Sequence, residues 1–254
     1  MKQWYSAYKK RGRDLFDLNG LTTVDYEEGT YHADPFLFAH EGDTWLFTEL
    51  HDRQKGVIAA GKIGEEMQTV IETDYHMSYP CVFEHDGGIY MTPETEASGR
   101  LEIWRCADFP NEWELYKVVA ELKGTSDPQY FYHKGKHYLF VTVGDENKLT
   151  IFMTDHLKAD WNIHSRHELL NSRSAGNIFE YKGKLLRPVQ DCSKIYGGAI
   201  IFKEITLNPF HYEEKEYERI EPEWADYLIG THTFNFTKDY VVIDGKYETE
   251  VHTP

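Results

Sequence analysis

The sequence is poor in several features that would each indicate a particular class of protein. No apolar run approaches the roughly 18 residues of a membrane-spanning helix, so we expect no transmembrane helix. The three cysteines, Cys81, Cys106 and Cys192, are an odd number without the spacing of a metal site, which favours reduced structural thiols. Basic residues are scarce, 27 Lys and Arg against 43 Asp and Glu. This acidic balance makes nucleic acids and anionic membranes poor partners.

The start of the chain also lacks the apolar core of a signal peptide. Residues 1–16 contain several basic side chains, but no apolar stretch follows them. Together with the reduced cysteines, this predicts a cytoplasmic location. No Pro- or Ser-rich linker divides the chain, which predicts one domain over residues 1–254.

Aromatic residues, in contrast, are abundant. They make up 15% of the chain, with 18 Tyr, 14 Phe and 6 Trp. Such residues favour half-buried β-strands over helices. Flat aromatic faces also suit a site that stacks on sugar rings.

A degenerate repeat of roughly 50 residues runs along the chain. Its five copies start near residues 31, 78, 126, 175 and 231. Each has a polar or small first residue, an alternating apolar run, a Gly-containing turn and a second apolar run, and further strand-like segments follow. Four strands per repeat and five repeats predict an all-β fold, a five-bladed β-propeller with four-stranded antiparallel blades around a central channel. Residues 1–30 are expected to close the ring with an outer strand of the last blade, for which LTTVDYEEG (21–29) is the best candidate.

The first residues of the repeats are expected to converge at the mouth of the channel. Asp34, Asp127 and His232 open three repeats, and Arg173 immediately precedes a fourth. Further polar residues lie at the ends of the second strands. Burying an unpaired carboxylate is costly, so carboxylates within an apolar strand pattern indicate function. The second-strand residues are Glu49, Glu94, Gln190 and Asp191.

Two of these carboxylates stand in an Asp-Pro pair. Pro35 and Pro128 should bias the preceding Asp34 and Asp127 towards an extended backbone and aim both carboxylates into the channel. An Asp-Pro pair can equally be an ordinary turn. Paired carboxylates across a sugar-sized gap are the equipment of glycoside hydrolysis, in which one is the general acid and the other the base or nucleophile.

Several longer motifs resemble a known family. HADPFLF (32–38) and SDPQYF (126–131) resemble the five-bladed propellers of glycoside hydrolase family 43 and its relatives, families 32 and 68. More specifically, YHMSYPCVFEHDGGIYMTPET (75–95) and RPVQDCSKIYGGAI (187–200) resemble the N-terminal propeller domain of glucosamine inositolphosphorylceramide transferases and its stand-alone bacterial homologues. This resemblance extends from about Gly29 to Lys246 and does not include the transferase domain.

The resemblance to family 43 implies roles for individual residues. Asp34 would be the general base, and Asp127 would orient the acid and raise its pKa. The family's acid is a Glu at the start of the fourth blade, but residues 173–177 here are Arg-Ser-Ala-Gly-Asn. Glu94 is the favoured substitute. Asp191 is the other candidate, although it could instead form a structural ion pair with Arg187.

The resemblance also bears on metal binding, because the family places a fifth-blade His near a central calcium ion. His232 occupies that position. Calcium prefers oxygen ligands, so a His that fills the channel by hydrogen bonding is the favoured interpretation. We therefore expect no required cofactor, with Ca²⁺ near His232 as the alternative.

Further side chains suit a sugar cleft. Arg173 and Arg187 could contact a carboxylate or phosphate of the substrate, and the aromatic candidates could stack on sugar faces or simply pack in the core. With Trp45 as an additional aromatic, the substrate-binding candidates are Tyr79, Tyr130, Arg173, Arg187, Gln190, Tyr196, His232 and Glu49.

Three functions stay open at this level. The first is an inverting glycoside hydrolase acting on an oligo- or polysaccharide, with Asp34, Asp127, Glu94 and Asp191 as catalytic candidates. The second is a non-catalytic propeller that binds a glycan or sugar in glycan biosynthesis. The third, a protein-interaction propeller, is disfavoured by the buried-looking carboxylates.

Overall fold

Five antiparallel sheets, arranged as a ring, make up the protein. A computed structural model describes residues 2–52, 54–144, 148–167, 169 and 172–248. These residues form twenty-one strands and a single 3-10 turn at Glu96–Ser98. Each sheet is one blade, and blades 1 to 4 follow the chain strand by strand. The prediction of an all-β, five-bladed propeller is confirmed.

Blades 1 and 2 have the simplest order, with successive strands paired from the first to the fourth. Blade 1 consists of β3 (Tyr31–His40), β4 (Asp43–His51), β5 (Gly56–Lys62) and β6 (Gln68–Ile71). Blade 2 consists of β7 (Ser78–His85), β8 (Gly88–Glu94), β9 (Arg100–Asp108) and β10 (Glu112–Glu121).

Blades 3 and 4 repeat this order. One of the further strand-like segments of the sequence, WNIHSRHELL (161–170), contains the outer strand of blade 3, and its residues 168 and 170 lie outside the described part of the chain. Blade 3 consists of β11 (Thr125–His133), β12 (Lys136–Val143), β13 (Lys148–Thr154) and β14 (Asn162–His167). Blade 4 consists of β15 (Phe179–Tyr181), β16 (Lys184–Asp191), β17 (Ala199–Asn208) and β18 (His211–Ile220).

Blade 5 closes the ring by combining both ends of the described chain. The N-terminal strand pairs with the C-terminal strand over nine residues, from Lys2 opposite Glu248 to Lys10 opposite Tyr240. The predicted outer strand is present as Thr22–Thr23, but the third strand, at the extreme N-terminus, was not predicted. The strands of blade 5 are β19 (Leu228–Gly230), β20 (Phe234–Phe236), β21 (Tyr240–Glu248), β1 (Lys2–Lys10) and β2 (Thr22–Thr23).

Two-residue turns join the first and second strands of blades 1 to 4. In blade 1, Glu41 and Gly42 have φ of 49° and 89°. Two successive positive φ values are those of a type I′ turn, whose twist matches that of the flanking strands. The other three turns, at 86–87, 134–135 and 182–183, have the same signs. The Gly in each predicted turn is thereby explained.

The first strands are not regular at their start. The ladder is interrupted between Ala33 and Phe36 in blade 1 and between Ser126 and Gln129 in blade 3. Asp34 and Asp127 lie in these bulges with positive φ, 50° and 47°. The prediction that proline would hold both residues extended is therefore wrong. A bulge re-aims a side chain and bends the strand, and this strained backbone is what directs both carboxylates inward.

Candidate functional site

A cluster of polar side chains lies where the first two strands of the blades converge. All eight of its members are at least largely buried, although they include five carboxyl groups. Linked by hydrogen bonds and by charge interactions, they are called the axial group below. Its members are Asp34, Glu49, Glu94, Asp127, Arg173, Gln190, His232 and Asp244.

One half of the axial group is built where blade 1 meets blade 5. The Thr233 hydroxyl donates to Asp34 Oδ1 at 2.8 Å. The backbone N–H of Asp34 donates to Asp244 Oδ2 at 3.2 Å. His232 lies between the two carboxylates, with Nδ1 2.5 Å from Asp244 Oδ2 and Nε2 3.7 Å from Asp34 Oδ1. Both the backbone and the carboxylate of Asp34 are thus fixed by blade 5.

The other half joins blades 2, 3 and 4. Arg173 Nε donates to Asp127 Oδ2 at 2.5 Å, and its Nη2 atom lies 3.4 Å from Glu94 Oε2. Gln190 Nε2 donates to the same Asp127 oxygen at 2.7 Å. The backbone N–H of Asp127 donates to Glu94 Oε2 at 3.0 Å. Asp127 therefore has Arg173 as its counterion and Gln190 as a second hydrogen-bond donor. Glu94 contacts the same arginine through Nη2 alone.

The protonation of two carboxyl groups is strongly perturbed. Burial raises the pKa of Asp34 to about 6, while the neighbouring His232 charge opposes that rise. Burial, followed by the charge of Asp127, raises the pKa of Glu94 well above its usual range, against the opposing charge of Arg173. With a pKa of about 6, Asp34 is mostly ionised at neutral pH, whereas the surroundings of Glu94 favour its protonated form. Titratable groups with such divided environments are typical of acid–base sites.

Glu49 completes the ring of carboxyl groups from blade 1. Burial raises its pKa well above the usual range, and the charges of Asp34, Glu94 and Asp127 add to this effect. His76 Nε2 lies 3.5 Å from Glu49 Oε1. The backbone N–H of Gly56 donates to His76 Nδ1 at 2.9 Å, so the proton of the neutral ring is on Nε2 and faces Glu49.

The axial group does not fit a calcium ion bound through His232. A carboxylate offers about four acceptor positions, and Asp244 uses all of them for protein groups. Its Oδ1 accepts the N–H groups of His232 and Thr233, each at 2.9 Å, and its Oδ2 meets Asp34 N–H and His232 Nδ1. Asp34, His232 and Asp244 do bring ligand-type atoms within 4.8 Å of one another, but protein hydrogen-bond donors already occupy both oxygens of Asp244.

A second group of possible metal ligands, Glu49, His51 and His76, is limited in a similar way. Because His76 Nδ1 accepts a backbone hydrogen bond, Nε2 carries the proton and has no lone pair for a metal. In this tautomer the Nε2–H of His76 faces Glu49 Oε1 at 3.5 Å.

An aromatic ring lies at the edge of the axial group. Tyr196 is 43% exposed, and its ring lies 5.0 Å from the Arg173 guanidinium and 5.6 Å from the Lys246 ammonium. The next residue, Gly197, lies so close to Trp4 and His232 that an added Cβ would come within 2.7 Å and 2.9 Å of them. Glycine is therefore required for this loop to fold over the blade 5 side of the site.

Three predicted sugar-stacking residues pack against residues of other blades instead. Tyr79 is fully buried, and its hydroxyl accepts the Gly176 N–H at 2.7 Å and donates to Gly176 O at 3.3 Å. Tyr130 stacks on Phe83 with ring centroids 3.5 Å apart. Trp45 packs edge-on against Phe109, with centroids 5.1 Å apart. All three residues hold blades together, in line with the core-packing alternative.

Arg187 and Asp191 also lie outside the axial group. Arg187 is fully buried and donates to Gln129 Oε1 and Ser172 O at 3.0 and 2.5 Å, so its guanidinium has no face left for a substrate. Asp191 binds Arg219 at 2.6 Å rather than Arg187. Although burial opposes it, hydrogen bonds from Ser193 and Arg219 lower the pKa of Asp191 to about 2, which does not suit a general acid.

Asp244 was missed in the sequence, although it organises half of the site. It is the last residue of the apolar run YVVID on β21. This is the same pattern that singled out Glu49 and Glu94 on the second strands of blades 1 and 2. The weakness of the fifth repeat hid the equivalence.

Sequence comparison shows which proteins share this chain's pattern. The family model described as glucosamine inositolphosphorylceramide transferase 1, N-terminal, matches residues 20–226. The chain belongs to this family. The transferase 1 proteins of Arabidopsis thaliana and of Oryza sativa subsp. japonica are each 30% identical to this family member, over 74% and 76% of its length. The chain spans only 27% and 29% of those two relatives.

Several solved structures share the fold of this chain. The catalytic domain of a Coprinopsis cinerea GH62 α-L-arabinofuranosidase superposes with a TM-score of 0.64, at 11% identity, over 95% of this chain and 97% of that one. A thermostable family-43 glycoside hydrolase gives 0.58 at 13% identity, over 88% and 92%. Within the described residues, no helix is long and apolar enough to cross a membrane.

Proposed function

We propose that the axial group binds a carbohydrate and hydrolyses a glycosidic bond with inversion, with Asp34 as general base and Glu94 as general acid. The observation that carries this proposal is a pair of buried carboxyl groups, Asp34 and Glu94, whose surroundings differ and which both interact with the charge of Asp127. Asp34 has a raised pKa of about 6, and Glu94 has one well above its usual range. An inverting hydrolase needs these two protonation states at one pH.

The environment of Asp34 supports the role of base. At neutral pH the carboxylate is ionised, because its pKa of about 6 lies below that pH. Thr233 fixes Oδ1 by a 2.8 Å hydrogen bond, which leaves Oδ2 able to accept a proton from water. A base with a pKa near the working pH is efficient in general base catalysis.

The environment of Glu94 supports the role of acid. Its side chain is 14% exposed. Most of the carboxyl group is shielded from water, which favours the protonated form, while part of it can still contact a ligand. Asp127 raises its pKa by charge and fixes its orientation through the backbone N–H. This matches the modulating role that the resemblance to family 43 assigns to Asp127.

Two groups at the edge of the site are suited to hold the sugar. The exposed Tyr196 ring offers a flat face for stacking. Arg173, whose side chain is 20% exposed, presents the part of its guanidinium that Asp127 does not use.

A second candidate function, sugar binding without hydrolysis, is favoured by one observation. Arg173 precedes the start of blade 4, where the resemblance to family 43 implies a Glu, and it contacts both Asp127 and Glu94. A cation there stabilises ionised carboxylates and lowers their pKa, which disfavours the protonated form that a general acid needs. The matched relatives are named as transferases, and a sugar-binding propeller could present a glycan to such an activity.

The test is release of reducing sugar from a panel of aryl glycosides and polysaccharides. We expect Asp34→Asn and Glu94→Gln each to lower kcat/KM by at least about a hundredfold, the typical contribution of an acid or base. Asp191→Asn is the matched control, since its carboxylate is bound to Arg219, and it should keep full activity. NMR of the first-formed product should show the anomer of inverted configuration.

Two results would reject hydrolysis. One is activity of Asp34→Asn equal to that of the wild type on every cleaved substrate. The other is no cleavage of any substrate, combined with calorimetric binding of a sugar that Arg173→Met abolishes, which would establish the binding function instead.

A further inference from the structure

The proposed roles of Asp34 and Glu94 leave the buried surroundings of His232 unexplained. It is 2% exposed, and its two ring nitrogens face two different carboxylates. Nδ1 lies 2.5 Å from Asp244 Oδ2. Because a carboxylate accepts and does not donate when ionised, Nδ1 carries a proton in this contact.

The second ring nitrogen determines the charge of His232. Nε2 lies 3.7 Å from Asp34 Oδ1. Since Thr233 already donates to that oxygen, an unprotonated Nε2 would place a lone pair against an electron-rich atom. A protonated Nε2 instead faces an anion with a hydrogen, and the ring becomes an imidazolium between two carboxylates.

The N-terminal strand supports the same charge state. Trp4 of β1 stacks on His232 with ring centroids 3.7 Å apart and an interplanar angle of 13°. The face of an indole attracts a cation. Gly197 closes the other approach, because its backbone lies against both Trp4 and the His232 Cβ. The ring is therefore fixed in orientation as well as shielded from water.

The charges that face His232 come from several elements. Burial alone lowers the pKa of the imidazole, but nearby carboxylates outweigh it and the pKa of His232 is raised. The Thr233 hydroxyl lies 3.3 Å from Nδ1. The carboxylates act from three strands, and two aromatic rings lie beside the imidazole. These groups are Asp244 on β21, Asp34 on β3, Asp127 on β11, Trp4 on β1 and Tyr196 in the loop after β16.

We propose that His232 is a fixed imidazolium, the counterion of Asp34, and that Asp244 and Trp4 are positioning residues that keep it charged and in place. The proposal about Asp34 as a base in catalysis rests on the proposed function. The charge state of His232 itself does not. Asp244 also binds the backbone N–H groups of Asp34 and Thr233, so one buried carboxylate sets both the position and the counterion of the base.

The direct test is NMR titration of the His232 ring in the full chain, which needs no substrate. The resonance is assigned by its loss in His232→Asn, whose amide can still donate to Asp244. We expect both ring nitrogens of His232 to remain protonated at pH 7.5, above the ordinary imidazole value of about 6.5. In Asp244→Asn the titration should move to lower pH, and in Trp4→Leu it should move in the same direction by less.

The kinetic test is the pH profile of kcat/KM on any substrate that the wild type cleaves. Removing the cation removes the effect that lowers the pKa of Asp34. The acidic limb should therefore move to higher pH in His232→Asn, by about 1 to 3 pH units for a lost charge within 6 Å. A purely structural role would lower activity at all pH values without moving the limb. Asp191→Asn is again the control and should leave the limb in place.

Each outcome decides between alternatives. A wild-type His232 ring that is neutral at pH 7.5 overturns the proposal, as does an unmoved acidic limb in a folded His232→Asn protein. If no substrate is cleaved, the hydrolase function fails. The NMR result then still decides whether His232 is a counterion, and Asp244→Asn, if it does not fold, is replaced by Trp4→Leu.

Discussion

Replacing Arg173 with methionine would leave Asp127 without its cation, and the structure gives the size of the effect. The Asp127 side chain is 2% exposed and that of Arg173 is 20% exposed, so this ion pair is nearly excluded from water. Removal of one partner from a buried pair costs about 3 to 5 kcal/mol. Because Gln190 still donates to Asp127, we expect the lower end, about 3 kcal/mol.

The assay is thermal unfolding followed by circular dichroism, arranged as a double-mutant cycle. For a protein of this size, about 3 kcal/mol corresponds to a fall in Tm of about 6 to 12 °C. Asp127→Asn removes the charge that Arg173→Met leaves behind. The double variant should therefore be more stable than Arg173→Met alone, with a coupling energy of at least about 1 kcal/mol.

A matched control exists at the other arginine pair. Arg219 binds Asp191 at 2.6 Å, but its side chain is 32% exposed. The same substitution, Arg219→Met, should cost no more than about 1 kcal/mol, because exposed pairs contribute little. Equal losses of stability in the Arg173 and Arg219 variants, or additive effects in the cycle, would refute the view that Asp127 depends on Arg173 as its buried counterion.

Two further predictions concern stability. Glu49→Gln should raise Tm at pH 8, because ionising a carboxyl whose pKa is raised in the folded state destabilises that state. The gain should shrink as the pH falls towards 5, and a constant gain across this range would contradict the assignment. Tyr79→Phe should cost about 1 to 3 kcal/mol, since Gly176 N–H loses its 2.7 Å acceptor in the buried core. Calorimetry on a bound sugar should show unchanged affinity in this variant, and a lost affinity would return Tyr79 to the binding site.

The repeat pattern predicted the fold because propeller blades are local structures. Each blade needs only alternating apolar runs and a turn such as Glu41-Gly42, in which Gly42 takes a positive φ at no steric cost. The closure of the ring was predicted only in part. The outer strand at Thr22–Thr23 was expected, but nothing in the local pattern of Lys2–Lys10 specifies that its partner is Tyr240–Glu248. Such long-range pairing is selected by the geometry of the whole ring.

The sequence by itself determined the blade count and the convergence of Asp34, Asp127, Glu49, Glu94 and His232 near the axis, since position in a repeat fixes position in a propeller. It could not determine which charged side chains find partners. Side chains of the same type as Arg173, Tyr196 and Glu94 occur elsewhere, but other protein groups already bind them. Gln129 binds Arg187, Gly176 binds Tyr79, and Arg219 binds Asp191. Hydrogen-bond partners and burial come from residues distant in sequence, so only the tertiary structure decided that Asp34 is held by Asp244 and Thr233.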